Sequence, residues 1–162
     1  RTYKFMLKKL ATILFLFSFV FIGCSSVSSG KITEYRITVG TTTMYDFQTL
    51  SDKILRQHRF LVDRTEDIGS GSIIETKYEY TEPSNEELVQ GIKEVRYKII
   101  LEARMKGGVS RMYNIRAIVH EYGRFTDNNE WIDLLVNDQI KKRVKLFSND
   151  LNAEFENKIR EF

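Results

Sequence analysis

The 162-residue chain has one cysteine, one proline, one tryptophan and two histidines. One cysteine excludes an intrachain disulfide and any paired-thiol metal site. His58 and His120 stand far apart, with no His-Glu-x-x-His pair and no ligand spacing between them. A zinc or hydrolase centre is therefore not expected. Each histidine reads as solvated, one near a helix C-terminus and the other on an exposed strand face. Gly-x-Ser-x-Gly elbows, phosphate loops and dinucleotide fingerprints are also missing. Gly69-Ser70-Gly71-Ser72 is a turn, since no helix pattern follows it to hold an anion. Asp127, Asn128, Asn129 and Glu130 lack the alternating spacing and terminal glutamate of a calcium loop, and read as a strand-to-helix connection. No catalytic set can be assembled, so the chain is not expected to be an enzyme. No cofactor, metal or small-molecule substrate is evident. One proline and few long loops argue for a single domain without repeats.

What is present is concentrated at the beginning. Lys8-Lys9 leads into the apolar run Leu10 to Ile22, which ends in Gly23-Cys24-Ser25-Ser26. A cationic segment, an apolar run too short to span a bilayer comfortably, and a small residue before a cysteine read as a secretion signal. A transmembrane anchor or a buried core helix fits less well, because the run is short and no stop-transfer charges follow it. Phe21, Ile22 and Gly23 before Cys24 resemble the lipobox of bacterial lipoproteins. The resemblance implies a diacylglyceryl thioether on Cys24, cleavage before it, and acylation of the new amino terminus. Two or three chains anchor stably, where one would bind only marginally. The expected organisation is a removed signal over 1–23, a lipidated cysteine and tether over 24–31, and one domain over 32–162. Met6-Leu7-Lys8-Lys9 would make an ordinary start, so Arg1 to Phe5 read as upstream sequence. The expected location is the cell envelope, on the outer membrane facing the periplasm if the host has two membranes.

The signal also distorts the charge balance. Its charges are Arg1, Lys4, Lys8 and Lys9, with no acid. Taking those four from the chain's 25 Lys and Arg leaves 21 against 22 Asp and Glu, a charge of −1. A nucleic-acid partner is therefore not expected. Ser25 to Gly30 is small and polar, a flexible tether reaching at most about 20 Å. It should hold the domain close to the membrane.

From Glu34 onward the pattern is structural. Tyr35, Ile37 and Val39 alternate as a short strand ended by Gly40. Thr43 to His58 carries Phe47, Leu50, Ile54 and Leu55 at helical spacing, with Thr41 to Thr43 as cap candidates. Phe60 to Glu66 and Ser72 to Tyr80 read as strands, and Ser84-Asn85-Glu86-Glu87 fits a capping box for one or two helical turns. Asp138 to Phe162 repeats apolar residues every three or four positions from Ile140 to Phe162, a helix of about 35 Å. Ser148-Asn149-Asp150 is poor helix material in its middle, a candidate kink. Trp131, with Ile132, Leu134, Leu135 and Val136, reads as core.

The strongest β signal is a hairpin from Glu94 to Tyr122. Val95 to Met105 and Tyr113 to Val119 alternate strictly. A two-residue turn at Gly107-Gly108 would put the two apolar sets on opposite faces, so a loop of three or five residues is required. Gly107 or Gly108 is then expected at positive φ. The register so drawn sets Arg104 by Met112, Glu102 by Asn114, Ile100 by Arg116, Lys98 by Ile118 and Arg96 by His120. Its second face is mixed, with a basic stripe of Arg96, Lys98, Arg104, Arg111 and Arg116. Of these, Arg96, Lys98, Arg104 and Arg116 are the candidate contact for an anion, such as lipid phosphate, or an acidic partner. The commoner alternative is a solvated face balanced by Glu94 and Glu102. Lys141-Lys142-Arg143-Lys145 reads likewise as the polar face of a helix or a membrane-surface contact.

The expected fold is α+β: a mainly antiparallel sheet of four to five strands in the order β-α-β-β-β-β-α, with two helices on one face. The rhythm of Phe47, Leu50, Ile54 and Phe60-Leu61-Val62-Asp63-Arg64, then Gly71 to Thr76, is similar to small helix-on-sheet lipoproteins of outer-membrane assembly. These include the lipoprotein partner of the lipopolysaccharide translocon and the helix-grip lipoproteins of the β-barrel assembly machine. The likeness is one of fold and carries no functional residues across. The acyl anchor, the short tether and the lack of a catalytic set together point to a non-catalytic, membrane-anchored accessory protein with an envelope protein partner. The alternative is a lipid- or glycolipid-binding module that uses the outer face of the hairpin.

Overall fold

The strands alternate as their sequences require, and parity decides what each residue meets. A computed structural model describes residues 33–107, 111–126 and 130–160. Those residues belong to one unit, Ile32–Phe162. The element order is β1 (Tyr35–Thr43), α1 (Met44–Gln57), β2 (Val62–Asp67), β3 (Gly71–Thr76), β4 (Glu79–Thr81), α2 (Asn85–Val89), β5 (Ile92–Met105), β6 (Met112–Phe125), β7 (Ile132–Leu134) and α3 (Asp138–Arg160). All pairings are antiparallel, in the order β1-β6-β5-β3-β2, with β4 added to β5 and β7 to β6. The fold is α+β, with seven strands rather than the expected four or five and a third, short helix. The two extra strands have three residues each, too short to show a period of their own. Lys77 and Tyr78 break the expected 72–80 strand into β3 and β4.

The inward face is apolar. Val95, Tyr97, Ile99, Leu101 and Ala103 of β5 and Ile115, Ala117 and Val119 of β6 are buried against Phe47, Leu50 and Ile54 of α1 and Val144, Phe147, Leu151 and Phe155 of α3. Thr43 caps α1, its hydroxyl accepting from the Asp46 amide at 3.1 Å. Ser84 and Glu87 form the expected capping box at α2. Helix α3 runs unbroken through Ser148-Asn149-Asp150, because complete burial of Phe147 and Leu151 on either side outweighs the poor propensity of the three.

Strand β1 does not stop at Gly40. A bulge between Thr38 and Gly40 lets it continue to Thr43. Gly40 faces Asn152 and Phe155 of α3, where a side chain would crowd the helix. The β5–β6 register differs by two residues from the one drawn above. It sets Arg104 by Asn114, Glu102 by Arg116, Lys98 by His120 and Arg96 by Tyr122. The Lys106 amide donates to the Met112 carbonyl at 2.9 Å, so the loop is the five-residue choice, 107–111. Parity is preserved either way, which is why pattern alone could not separate the two lengths. Gly107 is not at positive φ, and Gly108 lies outside the described residues.

Candidate functional site

The outward face of β5 and β6 carries the even-numbered residues, and cross-strand pairing sorts them into rows. One row is Tyr80, Arg96, Tyr122 and Asp133, across β4, β5, β6 and β7. The next inward pair is Lys98 and His120. Of the basic stripe expected from the sequence, Arg96, Lys98, Arg104 and Arg116 lie on this one face, whereas Arg111 falls in the loop before β6; the four on the face have different surroundings. Lys98 pairs with Glu75, which also takes Arg64 at 2.7 Å. Burial alone would push Glu75 upward, yet its bonds to Lys98 and Arg64 outweigh this and hold the carboxyl below its ordinary range. Arg104 pairs with Glu102 at 2.6 Å, and Arg116 is exposed opposite Glu102 and Thr38.

Arg96 differs from these. Its guanidinium lies 3.9 Å from the centroid of Tyr78 and 4.0 Å from that of Trp131, with Tyr122 at 5.8 Å. Its Nε is buried with no hydrogen-bond partner among the described residues. Stacked between two rings, the cation is held by ring quadrupoles. The rings support one another: Tyr78 meets Tyr122 edge-on at 5.8 Å, Tyr80 meets Trp131 at 6.2 Å, and His120 stacks on Tyr122 at 6.4 Å. Arg124 lies 5.0 Å from the Trp131 ring while pairing with Glu94. Tyr80 is 66% exposed and Tyr78 37%, so the cluster opens to the surface.

Two expectations are corrected here. Trp131 is not core: it is half-buried on the outward face, while Leu134 and Val136 turn inward and Ile132 and Leu135 are exposed. Trp131 precedes β7, and the tertiary pairing of that strand with β6 brings it over Arg96. The histidines are not simply solvated. His58 Nε2 sits 2.9 Å from Asp150 and its ring meets Phe147 edge-on, and His120 Nε2 is 3.8 Å from Glu34. Among the described residues no group of three His, Cys, Asp or Glu could hold a metal. Cys24 and Asp127 to Asn129 lie outside the described residues.

A second polar constellation is interior. Glu121 is 1% exposed at the foot of β6, and Glu87 of α2 is also buried. Asn137 links them at the start of α3. Its backbone amide donates to Glu121 Oε2 at 2.6 Å, and its Nδ2 donates to Glu121 Oε1 at 2.8 Å and to Glu87 Oε1 at 3.2 Å. Burial, then the hydrogen-bonded Glu87 carboxylate, pushes Glu121 up to about 8, so it holds a proton at neutral pH. Burial would raise Glu87 too. The bond from Glu121, the Ser84 amide and Asn137 overcome it and hold Glu87 low. The two acids thus share one proton. Nearby, burial pushes the Tyr97 hydroxyl up to about 12. Nothing in the period of the sequence marks Glu121, except that it continues the inward parity of Ile115, Ala117 and Val119 with an acid.

No family model matches the chain, and no curated protein matches it.

Proposed function

We propose that the chain is a lipid-anchored protein of a bacterial envelope, acylated on Cys24, whose domain works by binding as an accessory partner of a membrane assembly. The run Phe21-Ile22-Gly23-Cys24 after a cationic, apolar leader is the observation that carries the reading. A binding role draws further support from the outward sheet face, where aromatic rings and cations are presented together and Arg96, among the described residues, has stacking partners in place of a carboxylate. The alternative, a lipid- or glycolipid-binding module on the outer face of the hairpin, is favoured by the same row: rings to lie on apolar or sugar surface beside a cation for an acidic group.

The test is a pull-down from detergent-solubilised envelope with wild type and Cys24→Ala, with the intact mass of the purified chain. The accessory reading expects a protein partner recovered with wild type and a mass carrying acyl chains on Cys24. Recovery of lipid without any protein would favour the alternative, and an unmodified Cys24 would remove the anchor altogether.

A further inference from the structure

We propose that the cluster of Tyr78, Tyr80, Arg96, Tyr122 and Trp131 is where the domain rests on an anionic phospholipid surface, that of the bilayer holding its anchor. The inference depends on the lipid-anchored reading and names what the outward face meets.

Three observations converge. Among the described residues Arg96 has stacking partners but no carboxylate, so its charge is balanced by ring faces. Its Nε is buried, so the terminal guanidinium nitrogens are the donors it offers a phosphate, whereas Lys98, Arg104 and Arg124 are already paired with acids. Tyrosine and tryptophan rings, apolar in body and polar at one end, favour the headgroup level of a bilayer. Here both kinds lie around the stacked cation, with exposed Ile132 next to Trp131.

The third observation is where the tether joins. Glu34, one residue before β1, sits 3.8 Å from His120, which stacks on Tyr122. The chain from the anchor therefore enters the domain beside the cluster. Glu34 is ten steps along the chain from Cys24, a reach of at most about 35 Å. A domain held on that leash at that corner has its Tyr122 side within reach of the headgroups. The acids around the cluster set its polarity. Glu94 is taken by Arg124, Glu75 by Lys98 and Arg64, and Asp133 closes the row at its far end from Tyr80.

Trp131 is the chain's one tryptophan, so its emission reports on this surface alone. The acylated full-length protein is reconstituted in vesicles of phosphatidylcholine with phosphatidylglycerol, with and without lipids brominated near the headgroup. Docking expects bromine to quench Trp131, and the quenching to weaken in pure phosphatidylcholine or at high salt. Arg96→Gln should lower the ratio of docked to undocked protein about fivefold, the effect of one basic residue at an anionic surface. Tyr80→Ser, at a position 66% exposed, should also reduce quenching, while Lys145→Gln on the opposite helix layer should not.

Trp131 unquenched by brominated lipid in a chain whose mass shows an acylated Cys24 would overturn the docking and leave the anchor standing. So would equal quenching in wild type and Arg96→Gln, or protection of Trp131 in native envelope but not in pure lipid, which points to a protein. An unmodified Cys24 overturns both readings.

Discussion

Replacing Glu121 with glutamine removes an ionisation that burial makes costly at the foot of the hairpin. Glu121 is raised from an ordinary 4.5 to about 8 in the folded protein. Its proton is therefore bound more tightly folded than unfolded, which stabilises the fold fully below about pH 4.5 and is lost as pH rises through about 8. Every tenfold gain in proton affinity is worth about 1.4 kcal/mol, so the wild type should lose about 4 kcal/mol from this group between about pH 5 and about pH 9. Glu87 does not offset the loss. Its carboxyl is held low, so its stabilisation is complete above about 4.5 and constant across the window.

The glutamine of Glu121→Gln cannot ionise. It can accept from the Asn137 backbone amide and donate to Glu87, but it loses the bond that Asn137 Nδ2 now gives Oε1. That costs about 1 kcal/mol. The variant should be slightly weaker than wild type near pH 5 and stronger by about 3 kcal/mol near pH 9, the two curves crossing between. Urea midpoints by far-ultraviolet circular dichroism, taken at steps of pH for both proteins, measure this. Every titrating group outside the Glu121–Glu87 pair is common to both proteins, so the difference between the curves isolates that pair. Parallel curves would refute the shared-proton account.

Other changes test the frame around it. Gly71→Ala would drive its new methyl into the Ala103 carbonyl of β5, and strand backbone cannot swing aside, so a loss of about 2–3 kcal/mol is expected in urea denaturation. Phe147→Ala empties the centre of the helix layer, where Phe147 meets Phe60 edge-on at 5.7 Å, and should cost about 3–5 kcal/mol by the same measurement. Ser84→Ala removes the α2 cap and should cost about 1 kcal/mol, with faster amide exchange at Glu87 and little change in α1. A Ser84→Ala effect spread over the whole sheet would contradict its local role.

The long elements were legible because their periods are. Val95 to Ala103 alternates and Phe47 to Leu55 steps by three and four, so both inner faces could be assigned from residue order. The short helix α2 was legible as a single turn or two because Ser84 and Glu87 stand at cap spacing. β4 and β7 were not, since three residues carry no period and exist as strands only by pairing with β5 and β6. The hairpin shows the limit most clearly. Alternation demanded an odd loop, but three and five residues satisfy it equally, and the pairing of Lys106 with Met112 makes it five.

The candidate site followed the same division. Arg96 and Lys98 were recognisable from the sequence as outward cations, because parity puts them on the face opposite Val95 and Tyr97. That Lys98 is paired and Arg96 is stacked could not be read there, since Glu75, Tyr78 and Trp131 come from separate segments. By itself the order of residues determined which side chains share a face, because that depends only on backbone period. Tertiary structure decided what each one meets, which strand neighbours are brought alongside, and that one buried acid must keep its proton. Those outcomes depend on distance and desolvation between residues far apart in the chain.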